Sequence, residues 1–335
     1  MPLPVLHIWP GEWGLLSIHP PCLVAALYLQ LTIPGKFNIA HCTNPDSSPS
    51  GTLPFLTHNQ QVVTSLSSIL KYISGLEGNE YKAVNIDADL NAFETAQNAA
   101  WCSHVEAKLG DLTSYMLFSN PANWQKHTGL TLAYALPIPQ RYYVPSRIRN
   151  MYRSRLEAAG LWPHESIESR RPLFPSSTGL RASSDDHKEQ IAQTFQHEKI
   201  VQLARDSLDI YARLLGTKRL IYHEQLTTLD IMLAAHVLLI VKPPFPDKLL
   251  ADLLNDSYPT LVSHAEHILS RSMQSPPSIL PQRREKSEEE TRYERVTWGW
   301  VALALGSIGL FLLSSHNPFA LRSKGDREVV DETVN

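Results

Sequence analysis

The chain has 335 residues, 43% of them hydrophobic, so it is long enough and apolar enough for two compact domains with buried cores. A formal net charge of −3 and a pI near 6.5 provide no overall positive field, and a nucleic-acid partner is therefore not expected. Cys22, Cys42 and Cys102 have neither disulfide-framework nor metal-ligand spacing. The N-terminus resembles neither a secretory signal nor an arginine-rich presequence, so we expect a cytosol-facing protein whose targeting information lies elsewhere.

The first forty residues predict a strand, a helix and a second strand. The two strands cover the short runs Val5–Trp9 and Phe37–His41. Between them, Leu15–Leu31 is apolar and predicts a helix. Because the first helical N–H groups have no partner within a helix, proline is tolerated there, and we expect this helix to begin at Pro20 or Pro21. The order is β-α-β.

Residues 51–73 predict a β-hairpin followed by an amphipathic helix. An apolar segment around Pro54 leads into a polar turn, and a β-branched pair begins the return strand. A proline that opens a short strand beside a tight turn favours a cis peptide, so we predict a cis Leu53–Pro54 bond. The order β-α-β, β-β-α resembles the thioredoxin-like half of the glutathione transferase fold. The apolar positions of the helix are Ile69, Leu70 and Ile73.

Five segments further along the chain predict helices, most clearly where apolar residues recur at helical spacing. These predicted helices cover residues 86–118, 141–161, 191–215, 229–241 and 258–273. We expect the first to begin at Asp87 or Asp89. The second carries five arginines, which we interpret as a solvated face in preference to a binding patch. Residues 164–188 are rich in serine, proline and charge, which predicts a mobile insertion without structure.

A helix N-terminal capping box precedes the fourth of these helices. Thr227 and Asp230 have the spacing at which the hydroxyl accepts a helix amide while the carboxylate reaches back to the cap amide. The helix that follows is apolar on nearly every side, so it must be buried on nearly every side. We therefore expect it at the centre of a helical domain.

This region carries a more specific resemblance. Leu220–Leu239, followed by Tyr258–His264, is similar to the metaxins, which have a T/S-S/T-L-D box, a histidine about six residues on and a P-N-L helix with a histidine behind it. The resemblance covers roughly residues 1–273. It implies a glutathione transferase-like α/β plus all-α fold, with a thioredoxin-like domain over residues 1–80 and a helical domain over residues 81–275.

The resemblance also implies a non-enzymatic function. Fungal members of the metaxin family are subunits of the mitochondrial outer-membrane sorting and assembly machinery, which inserts β-barrel proteins. It implies no cofactor and no catalytic residue. The implied partners are a β-barrel core subunit, a second metaxin-like subunit, β-barrel precursors and outer-membrane lipid. The implied location is the mitochondrial outer membrane, with the bulk of the chain facing the cytosol.

The alternative is a membrane-tethered, glutathione-dependent enzyme. Transferases of this fold open the helix after the hairpin with E-S, which holds the γ-glutamyl carboxylate of glutathione, whereas this chain has Ser65 and Leu66 there. Leu66 offers neither hydroxyl nor charge. Ser17 and Cys22 lie nearest to the position of a catalytic hydroxyl or thiol, and no basic neighbour lowers the pKa of either group. We therefore expect a structural role for Cys22.

Three histidines on predicted helices are candidates for metal binding. His236 lies within the apolar helix and is expected to be a core histidine with satisfied hydrogen bonds. His264 and His267 are three residues apart on one helix, but no third ligand accompanies them. We predict no metal site.

The C-terminal residues predict a membrane anchor. Residues 276–295 are proline and charge without an apolar face, which is typical of a linker. Residues 296–316 contain no Asp, Glu, Lys or Arg, and a helix of that length is about 31 Å, enough to cross a bilayer core of about 30 Å. A buried core helix and an anchor to another organelle are the alternatives. Residues 317–335 form a polar tail. The expected anchor residues include Trp298, Trp300, Leu310 and Leu313.

Overall fold

The computed structural model of the protein describes most of the chain. The described residues are 2–42, 45–76, 81, 83–138, 140–162, 182–222, 225–275, 277–280 and 288–316. Within the helices, the side chains of residues 182–195, 288–291, 293–294, 310 and 312–316 are not among them. The chain divides into two compact units, Met1–Pro281 and Gln282–Asn335.

A mixed five-stranded sheet with the order β4-β3-β1-β2-β5 lies in one half of the first unit, with four strands from residues 5–64 and the fifth from residues 278–279. Its strands are β1 (Val5–Ile8), β2 (Asn38–His41), β3 (Phe55–His58), β4 (Gln61–Thr64) and β5 (Ser278–Ile279). β1 is parallel to β2 and antiparallel to β3, and β3 and β4 form the predicted hairpin. The Leu53–Pro54 bond is cis, which confirms the prediction from the sequence.

Two helices accompany this sheet, α1 (Pro20–Thr32) and α2 (Leu66–Ser74). The first begins at one of the two prolines predicted to start it, and nearly all its residues are buried. The second buries Ile69 and Ile73 and is capped by Ser65, whose hydroxyl accepts a hydrogen bond from the Ser68 amide at 3.4 Å. The predicted β-α-β, β-β-α order is therefore confirmed.

The other described residues of the first unit are mainly helical. Its helices are α3 (Ala92–Ser114), α4 (Pro121–Asn123), α5 (Gly129–Ala135), α6 (Val144–Ala158), α7 (Ala182–Leu215), α8 (Thr228–Val241), α9 (Leu249–Ser257) and α10 (Pro259–Ser272). Every residue of Leu229–Ile240 is buried, as expected for the centre of a helical domain. α8 packs against α1, α3 and α10, so this helix joins the two halves of the unit.

The predicted start of the first long helix is wrong. α3 begins at Ala92, because Asn91 and Glu94 form a complete capping box in which the Asn91 side chain accepts from the Glu94 amide and the Glu94 carboxylate accepts from the Asn91 amide. Asp87 has a different role. Its carboxylate accepts hydrogen bonds from the Thr228 amide at 2.9 Å and the Thr228 hydroxyl at 2.5 Å, so it ties the segment before α3 to the start of α8.

The arginine-rich helix α6 does not present a simple solvated face. Arg149 stacks on Trp124 and Trp162, with 5.3 Å and 5.0 Å from its guanidinium carbon to the ring centroids. Arg155 donates to carboxylates of α3, as described below. The interpretation from the sequence is wrong for these arginines, because their aromatic and acidic partners lie in other segments of the chain.

Two predicted irregular segments contain regular structure. α7 already begins at Ala182, so residues 182–188 of the predicted insertion are helical, while residues 163–181 lie outside the described residues. Within the predicted linker over residues 276–295, β5 pairs in parallel with β2, and the Leu280 amide donates to the Ile39 carbonyl at 2.9 Å. A two-residue strand has no periodicity to detect, so the sequence could not predict it.

The second unit contains one described helix, α11 (Glu288–His316). Its apolar side chains are exposed, with Trp298 at 71% and Trp300 at 68%. In the part of the chain that the structure describes, no helix is both long enough and apolar enough to cross a membrane. The predicted span over residues 296–316 is therefore not confirmed. The side chains of Leu310 and Leu313, and the predicted polar tail over residues 317–335, lie outside the described residues.

Candidate functional site

The first unit contains a cavity of about 1000 Å³ beside the cis proline. Leu53 and Pro54 form one edge, and α2, α3 and α6 provide the walls. One face of α3 lines the cavity, because its residues Thr95, Asn98, Cys102 and Glu106 are spaced three or four apart. The residues that α2 and α6 contribute are Leu66, Leu70, Lys71, Ile148, Met151, Tyr152 and Arg155.

A chain of three side chains runs from the start of α1 to α6. His19, which precedes the first turn of α1, bonds the Tyr152 hydroxyl through Nε2 at 2.6 Å, and its Nδ1 lies 3.5 Å from the Cys22 sulfur. His19 and Tyr152 line the cavity, whereas Cys22 is fully buried beneath it. The Tyr152 contact was not predictable, because nothing local in the sequence joins residues 133 positions apart.

The thiol and the imidazole are both held in their neutral forms. Burial raises the pKa of Cys22 to about 12, and burial lowers the pKa of His19 to about 4, against a smaller upward effect of the Glu106 charge. In addition, Pro20 and Pro21 have no N–H group, so the first turn of α1 lacks two donors that could stabilise a thiolate. The arrangement does not activate a nucleophile.

The lowered pKa of His19 predicts a pH dependence of stability. A histidine whose pKa falls on folding stabilises the fold above its unfolded value of about 6.5, and that contribution is lost as the pH falls toward about 4. Between pH 7 and pH 4.5, we expect the free energy of unfolding of the wild type to fall by about 1–2 kcal/mol more than that of His19→Gln. The difference stays below the full value of the pKa shift because the ring keeps partial contact with the cavity.

This prediction is checked by urea unfolding of both proteins at the two pH values. His267→Gln is the matched control, because His267 is exposed on α10. Equal losses in the wild type and in His19→Gln would contradict the assignment of a neutral, desolvated imidazole.

The other expected thiol-site residues do not form a polar pocket either. Ser17 is fully buried, and its hydroxyl accepts from the His19 amide at 3.4 Å. The Ser65 hydroxyl caps α2, and the next residue at the cavity wall is Leu66. The structure thus brings Leu66 to the cleft, where the resemblance to transferases would require a polar group.

An ion-pair network forms the floor of the cleft. Arg155 donates to Asp111 at 2.5 Å, to the Glu106 carboxylate at 3.1 Å and to the Glu106 carbonyl. Glu106 also lies 3.5 Å from Nε2 of His236, whose Nδ1 contacts the Thr113 hydroxyl at 3.3 Å. The Arg155 and His236 contacts outweigh the desolvation of Glu106 and hold its pKa below the usual value. His236 is buried in the core, as expected, but its Nε2 has no hydrogen bond within the described structure.

The capping-box residues Thr227 and Asp230 are buried at the N-terminus of α8. Asp230 is fully buried and accepts from the Thr227 amide at 2.9 Å, the Thr227 hydroxyl at 2.7 Å and the Ile221 amide at 3.0 Å. Nε2 of His264 lies 3.5 Å away. Burial raises the pKa of Asp230 despite the nearby His264 and these hydrogen bonds. This polar cluster is structural, because Thr227 and Asp230 are buried and neither lines the cavity.

His264 and His267 do not share one environment. Nδ1 of His264 donates to the Arg219 carbonyl at 2.8 Å inside the core, while His267 is exposed. Among the described residues, no group of three or more His, Cys, Asp or Glu side chains is arranged to hold a metal ion.

Solved structures share this fold. A glutathione S-transferase of Ceriporiopsis subvermispora, solved in complex with glutathione, is 16% identical and has a TM-score of 0.51 over 82% of this chain and 99% of that chain. A glutathione transferase of Phanerochaete chrysosporium is 13% identical, with a TM-score of 0.50 over 82% and 100%. These similarities establish a glutathione transferase-like fold and nothing about activity.

Sequence comparisons are more specific. Residues 22–149 match the Tom37 family, described as an outer mitochondrial membrane transport complex protein. Metaxin-1 of Mus musculus is 26% identical over 266 residues, which cover 79% of this chain and 74% of that protein. Metaxin-1 of Macaca fascicularis is 25% identical over 315 residues, covering 92% and 89%. The chain is similar to the metaxins over most of its length.

Proposed function

We propose that this chain is a non-enzymatic subunit of the mitochondrial outer-membrane sorting and assembly machinery. In this role it aids the import, insertion and assembly of β-barrel outer-membrane proteins, with the bulk of the chain facing the cytosol. The match to a family of outer mitochondrial membrane transport complex proteins supports the location and the complex. Its partners are a β-barrel core subunit, a second metaxin-like subunit and β-barrel precursors.

The burial and raised pKa of the Cys22 thiol are the observations that support a non-enzymatic role. A transferase needs an accessible thiol or hydroxyl that favours a thiolate, and here the thiol is fully buried with its pKa raised to about 12. Leu66 replaces the polar group that would bind a glutathione carboxylate in related enzymes. A transferase-shaped body without these groups acts through its surface.

Exposed aromatic side chains on the first unit support a role in protein contacts. Phe93 is 70% exposed, Tyr134 80% and Tyr142 74%. Aromatic residues are enriched where protein surfaces meet, because they bury a large area with few rotatable bonds. We assign partner contacts to this part of the molecule.

The exposed apolar helix α11 supports attachment to the outer membrane. Trp298, Trp300, Leu303 and Phe311 are each at least 65% exposed. Such a set of apolar side chains is more stable when lipid shields it from water. In addition, tryptophan indoles favour the membrane interface. We infer that residues 296–316 contact outer-membrane lipid.

Affinity purification of the full-length chain from mitochondria in a mild detergent tests the proposal. We expect a β-barrel outer-membrane subunit and a second metaxin-like protein to co-purify in comparable amounts. The matched control is an unrelated outer-membrane protein purified with the same tag. Recovery of the chain without any β-barrel subunit would contradict the proposed function.

A further inference from the structure

The helix α2 turns a partly polar face toward the cavity. Ser67, Leu70, Lys71 and Ser74 all line the cavity, and their spacing places them on one side of the helix. The side chains that α2 buries in the core, Ile69 and Ile73, lie on a different side. The cavity therefore receives an ammonium group and two hydroxyls from the same helix that contributes an apolar wall.

Lys71 is an exposed cation of this lining without an acidic partner. Within the described part of the chain it forms no salt bridge, and its ammonium group donates no hydrogen bond. The other charged side chains of the lining already have partners, which are Thr228 for Asp87, Asp46 for Arg147, and each other for Glu106 and Arg155. Lys71 is thus the charged group that remains available to a ligand.

The buried part of the lining is mainly apolar. Five large side chains from five different segments line the cavity with 7% exposure or less, and these are Trp9, Tyr28, Leu53, Ile148 and Met232. Apolar surface of this kind is stabilised when an apolar group of a ligand replaces the water against it. The interior of the cavity therefore favours a hydrocarbon group, while its exposed lining offers a positive charge.

We propose that the cavity binds an amphiphile with one acyl chain and an anionic head group, whose head pairs with the Lys71 ammonium and whose chain lies against the buried apolar residues. At about 1000 Å³ the cavity lies at the upper end of small-molecule sites, which run to about 1,000 Å³, so it has room for a single flexible chain. The Ser67 hydroxyl adds a hydrogen-bond donor for a carboxylate or phosphate oxygen. Long-chain carboxylates and single-chain phospholipids share this chemistry.

Other ligands match the two parts of the cavity less well. Glutathione has no hydrocarbon chain for the buried apolar residues, and Leu66 stands where a transferase binds its γ-glutamyl carboxylate. A neutral hydrocarbon would leave the Lys71 charge without a partner. The inference goes beyond the proposed function and does not depend on it.

The experiment is photo-crosslinking of the full-length chain in phosphatidylcholine nanodiscs. The probe is palmitate with a diazirine in the middle of its chain. The competitors are palmitate, palmitoyl lysophosphatidate and hexadecanol, which has the same chain without the charge. We compare the wild type, Lys71→Gln and Lys108→Gln. Lys108 is the matched control, because it is exposed on α3 and does not line the cavity.

We expect the probe to label peptides of the wild type that contain Ile148 or Met232, two buried residues of the lining. Palmitate should compete about threefold to fivefold better than hexadecanol, the contribution of one ion pair at an exposed site. Lys108→Gln should keep this preference and Lys71→Gln should lose it, with the same peptides labelled at a lower yield. Each competitor partitions equally into the lipid for all three proteins, so a change in the preference reports the cavity.

Equal thermal midpoints of the three proteins show that lost preference is not lost folding, and the tighter of palmitate and lysophosphatidate identifies the head group. Labelling confined to α11 would overturn the inference, because the probe then contacts the protein from the membrane alone. A preference for palmitate that persists in Lys71→Gln would also overturn it, as would competition by glutathione at the concentrations at which palmitate competes. Co-purification of a β-barrel subunit is measured separately, so the proposed function and this ligand site can fail independently.

Discussion

Asp230→Ala is expected to destabilise the protein by about 3–5 kcal/mol, several times the effect of losing an ordinary helix cap. The Asp230 carboxylate is fully buried and accepts from two backbone amides and one hydroxyl. Its removal leaves the Thr227 and Ile221 N–H groups buried without an acceptor, and each such group costs about 1–3 kcal/mol. It also deprives His264 of its acidic neighbour.

The measurement is urea unfolding of the full-length chain followed by circular dichroism. Asp252→Ala is the matched control, since Asp252 is an exposed acidic residue in the first turn of α9. We expect the control to change the free energy of unfolding by less than about 1 kcal/mol. If both variants unfold at the same urea concentration, the Asp230 cluster does not hold α8 in place.

Deletion of residues 296–335 is expected to move most of the protein from the membrane fraction to the supernatant. The helix α11 exposes a set of large apolar side chains, including Trp298, Trp300 and Phe311, that require an apolar environment. The deletion leaves β5 intact, so the sheet of the first unit keeps all five strands. Carbonate extraction and sedimentation of mitochondrial membranes measure the effect.

The matched control is deletion of residues 317–335 alone, which retains all of α11. We expect this shorter deletion to leave the protein in the membrane fraction. If the chain without residues 296–335 remains fully bound to the membrane, contacts with a partner subunit carry the attachment, and the assignment of lipid contact to α11 is wrong.

Much of the N-terminal half could be predicted because its signals are local. Proline before a strand and beside a turn predicted the cis bond at Pro54, and short apolar runs predicted β1, β2 and the hairpin. The spacing of Thr227 and Asp230 likewise predicted where α8 begins. Each of these features depends on residues within a few positions of one another.

Features that depend on distant residues were missed. Asp87 resembles a helix start, yet it binds Thr228, which is 141 residues away. β5 has two residues and exists only because the edge of β2 is free to pair with it. The arginines of α6 resemble a solvated face until their aromatic and acidic partners are placed beside them.

In the candidate site, too, features set by neighbouring residues were predictable and features set by distant residues were not. Leu66 at the start of α2 was identified from the sequence. The expectation that no basic side chain lies near Cys22 was wrong, because the His19 imidazole is 3.5 Å from its sulfur, although burial lowers the pKa of His19 and keeps the ring neutral. The contact between His19, which precedes α1, and Tyr152, on α6, joins residues 133 positions apart and was not predictable. Asn98 gave no signal, because an asparagine in a helix resembles a surface residue until its burial is known.

We propose that this cleft has the shape of a transferase site without its chemistry. The most direct test is titration of the full-length protein with reduced glutathione, together with a transferase assay using chlorodinitrobenzene between pH 6.5 and about 9, which spans the ordinary thiol pKa. We predict no saturable binding and no turnover above the uncatalysed rate. Saturable glutathione binding with turnover that is lost in Cys22→Ala would contradict the account.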